Sequence, residues 1–152
     1  MASQPTHKFA TRHQQRQCIL ECLYMWDVQK DIAIESLYAS YCKEKTDIAP
    51  EVLNGAFVLE TLRGVVTHYE QIDQLIAQEA EHWEFSRISK VDLAILRLAI
   101  YEMQFSQKAP KPVVINEAIE LSKAYASDDS KRFINGILDH IAKASQIPQN
   151  VC

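Results

Sequence analysis

The chain has little of what sharp turns need: 3 glycines and 5 prolines in 152 residues. An all-β fold requires frequent tight turns, so that scarcity favours helices. There is no Walker loop, no G-x-G-x-x-G and no G-x-S-x-G, and so few glycines leave little for a phosphate cradle. The histidines His7, His13, His68, His82 and His140 make no H-E-x-x-H and no H-x-x-x-H. The cysteines Cys18, Cys22, Cys42 and Cys152 contain no C-x-x-C. Cys18 and Cys22 lie one helical turn apart and read as small buried hydrophobes rather than metal ligands or a disulfide. That usage suits a reducing compartment. No signal peptide and no membrane-length apolar run is present, so a cytoplasmic protein is expected. Acids such as Glu79 and Glu81 read as solvated helix faces. Neither an enzyme, nor a cofactor, nor a metal site is expected.

Hydrophobic residues make up 47% of the chain and charged residues 24%, an ordinary globular composition. The length fits one domain, here expected as 1–152 with an N-terminal helical half (1–69) and a C-terminal helical half (70–152). The formal charge is −4, from 16 basic and 20 acidic residues. Sequence-blind affinity for nucleic acid comes mostly from neutralised phosphates, so this balance argues against it for the chain alone. A local basic patch or a basic partner remains compatible with it.

Apolar spacing predicts helices throughout. Residues 1–10 lack periodicity and read as a loose arm. A first helix is predicted over Thr11 to Val28, with Cys18, Ile19, Cys22, Leu23 and Trp26 on one face. Asp31 is a candidate N-cap for a second helix carrying Ile32, Ile34, Leu37, Tyr38 and Tyr41. Pro50 suits the first turn of a third, whose pattern continues to Trp83. That length predicts a break near His68–Gln71 and a subdomain boundary there. Ser89 and Asp92 form a capping signature. The helix after it, about Lys90 to Gln104, is apolar nearly all round and should be central to the C-terminal half. A sixth helix runs from Pro110 and Pro112 to about Ala126, and Ser127 or Asp128 caps a seventh. No segment alternates with period two long enough to be a strand.

Two stretches carry binding chemistry. In "TRHQQR", Arg12 and Arg16 share a side of the first helix, with His13 and Lys8 nearby. Cations at a helix start oppose the macrodipole, so they are either a solvated start or phosphate contacts. The second stretch is "SDDSKRFINGILDHI", Ser127 to Ile141. Ile134, Ile137, Leu138 and Ile141 form an apolar stripe, and Asp129, Phe133, Gly136 and His140 run along its flank. Arg132 lies beside them, while Lys131 points around the other side. An edge aromatic, an arginine and a backbone opened by glycine suit docking and stacking of bases. The alternative is plain packing: Asp128 and Asp129 favouring the dipole, Phe133 in the core, and Gly136 admitting a neighbouring helix.

"VVINEAIELSKAYASDDSKRFINGILDHI", Val113 to Ile141, resembles the signature of the NusB family of bacterial transcription antitermination factors. "VDLAILRLAIYEM", Val91 to Met103, resembles that family's central helix, and "QCILECLYMWDV", Gln17 to Val28, its first, including Tyr24 and Trp26. The resemblance implies an all-α fold of seven helices in two small bundles. It implies binding to the single-stranded boxA element of ribosomal RNA leader transcripts, as a heterodimer with the small-subunit ribosomal protein NusE, in an RNA polymerase antitermination complex. By motif, RNA binding falls to Arg12 and Arg16 and to Lys131, Arg132 and Phe133, with Asp129 at the RNA or partner edge. Family members often carry a denser arginine run than "TRHQQR". Fewer phosphate contacts mean weaker binding and a flatter salt dependence, so a basic partner is expected to complete the site.

Two further classes are consistent with the sequence. One is a protein–protein adaptor that never touches RNA. The other is a homodimer that hides its RNA surface. A related helical module occurs fused to RNA methyltransferases, but no such domain follows Ile147, so catalysis is not expected.

Overall fold

The computed structural model describes residues 4–80 and 85–144, with residues 4–10 described by their backbone alone. The helices are α1 (Gln4–Val28), α2 (Ile34–Glu44), α3 (Pro50–Leu53), α4 (Ala56–Glu79), α5 (Lys90–Tyr101), α6 (Lys111–Tyr125) and α7 (Asp128–Ala144). A short 3-10 turn (Phe85–Arg87) precedes α5 and a π-helical turn (Glu102–Ser106) follows it. Among the described residues there is no strand. Among the described residues the all-α, seven-helix expectation therefore holds.

Several boundaries differ from the sequence expectation, each for a local reason. The first helix starts at Gln4, not Thr11, so most of the expected loose arm is helical. Pro5 lies in its first turn, where proline's fixed φ suits a helix and its missing N–H costs nothing. Asp31 does not cap α2: the N-cap is Ala33, with no side-chain hydrogen bond. Asp31 instead lies in a turn closed by the Ile32 N–H donating to the Gln29 carbonyl at 3.2 Å. That leaves Ile32 outside the helix and exposed. The break expected at His68–Gln71 is absent. α4 runs unbroken through it, and His68 Nδ1 pairs with Gln71 Oε1 at 3.2 Å across one turn. The interruption falls at Asn54 and Gly55, both poor helix formers. Trp83 and Glu81 lie outside the described residues. The α5 helix stops at Tyr101, three residues short of the expected Gln104, because the chain widens into the π turn. That turn closes with the Gln107 N–H donating to the Glu102 carbonyl at 2.9 Å, and Gln107 takes up a left-handed φ of 55°.

The chain forms two compact units, Met1–Val66 and Thr67–Cys152. In the first, α1 packs on α2 and α3 around Ile19, Cys22, Leu23, Leu37, Val52 and Leu62. Cys18 and Cys22 are buried free thiols, as expected, and Cys42 is half-buried; Cys152 lies outside the described residues. Burial pushes the Cys18 and Cys22 thiols above their ordinary range, which keeps them protonated and unreactive. The Tyr38 hydroxyl donates to the Leu53 carbonyl at 2.5 Å, and the Tyr41 hydroxyl donates to Glu21 Oε1 at 2.8 Å. Both bonds let large rings enter the core with their polar ends satisfied.

In the second unit α5 is the centre. Every residue from Asp92 to Ile100 is buried, and α6 and α7 pack on it and on each other. Each such aliphatic side chain contributes roughly 1.5–3 kcal/mol relative to exposure. One cation sits among them. Arg97 is 2% exposed, and its Nε and Nη2 donate to the two carboxylate oxygens of Asp73 at 2.9 and 2.7 Å. This bidentate geometry compensates an otherwise costly buried charge.

Candidate nucleic-acid interface

In the second unit the candidate site is the start of α7. The Ser127 hydroxyl caps it, accepting the Ser130 N–H at 3.3 Å. Asp128 and Asp129 occupy the first turn, where anions favour the dipole. Beneath them a hydrogen-bond chain fastens the helix start to α5. The Ser130 hydroxyl donates to Asp92 Oδ2 at 3.0 Å, and Ser127 Oγ lies 3.2 Å from Ser130 Oγ. With Ser130's proton committed to Asp92, Ser127 is the donor in that second contact. The Asp92 N–H donates in turn to Ser89 Oγ at 3.1 Å, the expected cap of α5. Burial raises the Asp92 carboxyl above the usual carboxylate range, against hydrogen bonds from Ser130 and Ser89 that lower it.

With Ser130 turned inward, its neighbours face out. Asp129, Lys131 and Arg132 are exposed and Phe133 is half-buried. Ile134, Ile137, Leu138 and Ile141 are buried, so the apolar stripe lies where the helical period puts it and Phe133 lies at its edge. Gly136 is exposed, and a β-carbon built there meets nothing within 4 Å. It therefore does not serve close approach of another described element; it leaves an open patch of backbone on the flank. His140 is exposed and its Nδ1 pairs with Glu79. Glu79 is thus part of this surface rather than simply a solvated acid.

In the first unit the candidate site is the helix side that carries Arg12 and Arg16. The two do share a side, and Phe57, the second residue of α4, is what they share. The Arg12 guanidinium carbon lies 3.8 Å over the Phe57 ring centroid, and that of Arg16 lies 5.7 Å from it. Their exposures differ. Arg12 is exposed, whereas Arg16 is only 4% exposed. Arg12 is therefore the member of the pair that meets solvent. Between them Gln15 donates from Nε2 to the Val52 carbonyl at 3.1 Å, tying α1 to α3. A β-carbon at Gly55 would stand 3.0 Å from that Nε2, so glycine keeps room for the tie. The contributions of Phe57, Ser130 and Asp92 are not visible as motifs. The one available signal was an acid and a serine at helix starts, which reads equally as ordinary capping.

Two units that are all-helical among the described residues define an all-α protein. Among the described residues no three His, Cys, Asp or Glu side chains gather as a metal site would require. The chain belongs to the NusB family, whose sequence model matches residues 13–143. It is 37% identical over 139 residues to the transcription antitermination protein NusB of Solibacter usitatus, covering 91% of this chain and 93% of that one. It is 40% identical over 132 residues to that of Acetivibrio thermocellus, covering 87% and 88%. Among solved structures it resembles T. maritima NusB at a TM-score of 0.74 and 33% identity, covering 87% of this chain and 90% of that one. It also resembles a chain from the complex of antitermination factors NusB and NusE with double-stranded RNA, with a TM-score of 0.76, 26% identity, and coverage of 89% and 98%. The family is one of transcription antitermination proteins, not of enzymes. Among the described residues no helix is long and apolar enough to cross a membrane.

Proposed function

We propose that this protein is an RNA-binding transcription antitermination factor. It recognises boxA in ribosomal RNA leader transcripts as a heterodimer with NusE, and the complex acts on elongating RNA polymerase. The observation that carries this is the start of α7, where exposed Arg132 adjoins half-buried Phe133 and Lys131 is exposed one residue earlier, within the block that resembles the family signature. The solved complex of a relative with NusE and RNA supports the partners. That complex holds double-stranded RNA; the proposal here is single-stranded, because an edge ring beside an arginine suits unstacked bases.

Each unit supplies its own contacts. Arg12 holds a phosphate from the first unit. Lys131 and Arg132 hold phosphates from the second, Phe133 stacks on or packs against a base, and Asp129 lies at the edge of that surface. Arg16, enclosed beside Phe57, supports Arg12 rather than meeting solvent. With one exposed arginine in the pair and a formal charge of −4, the chain alone binds RNA weakly and NusE completes the site. Titrating a boxA oligonucleotide with the chain, alone and with NusE, tests this; tight binding by the isolated chain contradicts it.

One observation favours the alternative, a protein–protein adaptor without direct RNA contact. Tyr24, Met25, Val28 and Ile32 are all exposed at the end of α1 and just beyond it, a run of apolar surface suited to a protein partner. Photocrosslinking to boxA RNA separates the two: an adaptor gives no adduct on α1 or α7.

A further inference from the structure

The arginine run in the first half of α1 is sparse, yet one of its members rests on an aromatic ring. We infer that Phe57 is a positioning residue for RNA binding, presetting the Arg12 guanidinium for its phosphate although it touches no RNA itself. This rests on the RNA-binding function proposed above and deepens it.

Three observations converge on Phe57. The Arg12 guanidinium carbon stands 3.8 Å over the ring centroid, well inside the distance at which a cation is drawn to the negative face of a ring. Arg16, one turn along α1, lies 5.7 Å from the same centroid and is itself enclosed, so the ring is bracketed rather than grazed. The ring's own position is fixed. It is the second residue of α4, directly after the Asn54–Gly55 interruption, and Gln15 ties that region to α1 through the Val52 carbonyl at 3.1 Å. Gly55 keeps the room that tie needs.

The physical consequence is preorganisation. A free arginine side chain loses much rotamer freedom when it engages a phosphate, and that loss subtracts from affinity. A guanidinium already resting on a ring has given up part of that freedom before RNA arrives. The ring engages the face of the guanidinium rather than its in-plane N–H donors, the edge by which a guanidinium grips phosphate. With Arg16 enclosed, α1 gains most from holding Arg12, the exposed member of the pair.

The test uses the full chain with NusE and a boxA single-stranded RNA, titrated at several salt concentrations. Arg12→Ala weakens binding and lowers the salt slope by about 0.7, the value for one phosphate on a single strand. Phe57→Leu weakens binding about two- to five-fold in the wild-type background and has no further effect on Arg12→Ala. Phe57→Tyr, which keeps the ring, restores wild-type affinity. Phe57→Met is measured alongside, so that a folding defect in one variant does not stand in for loss of the ring. In the RNA-free protein the Arg12 Hδ protons are shifted upfield by the Phe57 ring current, and Phe57→Leu removes that shift. If Phe57→Leu costs the same with and without Arg12, or if the Hδ shifts do not move, the inference is wrong while RNA binding stands. If Arg12→Ala binds RNA as the wild type does, the Arg12 contact itself is wrong, and the role of Phe57 falls with it.

Discussion

Ser130 and Asp92 join the start of the last helix to the start of the central one by a hydrogen bond of 3.0 Å. Asp92 is buried, and its other oxygen, Oδ1, has no hydrogen-bond partner among the described residues. Ser130 is therefore the side chain that satisfies this carboxylate from α7. Ser130→Ala removes a bond to a charged, buried acceptor and lowers stability by about 1.5–3 kcal/mol. Urea unfolding of the two proteins side by side measures it. A loss within experimental error shows that the contact carries no stability.

The same carboxyl gives a pH dependence whose sign follows from its burial. Its folded-state pKa is raised, so ionisation is harder in the folded chain than in the unfolded one. Asp92 favours folding most at pH below its unfolded pKa, and that contribution fades as pH rises through the folded value. Asp92→Asn does not titrate. The stability of the wild type relative to Asp92→Asn therefore falls with rising pH across the acidic range and is flat above it. A relative stability that grows with pH contradicts the burial argument.

Arg97 and Asp73 form an enclosed ion pair in the second unit, with Arg97 almost without exposure. Removing Asp73 takes away both charge-assisted hydrogen bonds that the buried Arg97 makes to it. Asp73→Ala is expected to cost about 3–5 kcal/mol, whereas replacing both partners with apolar residues of similar volume costs far less. A double-mutant cycle followed by thermal unfolding distinguishes this from an additive pair.

Gly136 lies in the interior of α7 with open space where a β-carbon would be. Gly136→Ala therefore stabilises the helix by about 0.5–1 kcal/mol, since alanine orders more cheaply and meets no obstacle. If RNA uses the bare backbone there, the same variant binds RNA less well while melting higher. A rise in stability with unchanged affinity removes Gly136 from the interface.

Phe133 stands at the margin of the α7 stripe, half-buried beside exposed Arg132. Phe133→Asp is expected to weaken RNA binding while helical circular dichroism stays close to wild type. Loss of helicity would place the ring in the core and end the stacking role.

What could be read in advance followed from period. The helical spacing of Ile134, Ile137, Leu138 and Ile141 fixed the buried face of α7, and with it Phe133's place at the edge. Ser89 and Asp92 announced the start of α5, and an almost wholly apolar run announced its burial. Boundaries were less legible. Length argued for a break at His68–Gln71, but apolar spacing supports a long helix as well as two short ones, and the poor helix formers that interrupt it are Asn54 and Gly55. The candidate site was legible only where its residues are adjacent along one helix. Lys131, Arg132 and Phe133 are so placed. Phe57 beneath Arg12, and Asp92 beneath Ser130, are brought together by packing between helices distant in sequence, which no local pattern encodes.

The most direct measurement is a titration of fluorescent ribosomal leader RNA carrying boxA with this chain, with and without NusE, at two salt concentrations. RNA binding completed by a basic partner predicts weak binding by the chain alone, much tighter binding with NusE, and a steeper loss of affinity with salt for the pair. Equal affinity with and without NusE, or no RNA binding by the pair, would contradict it.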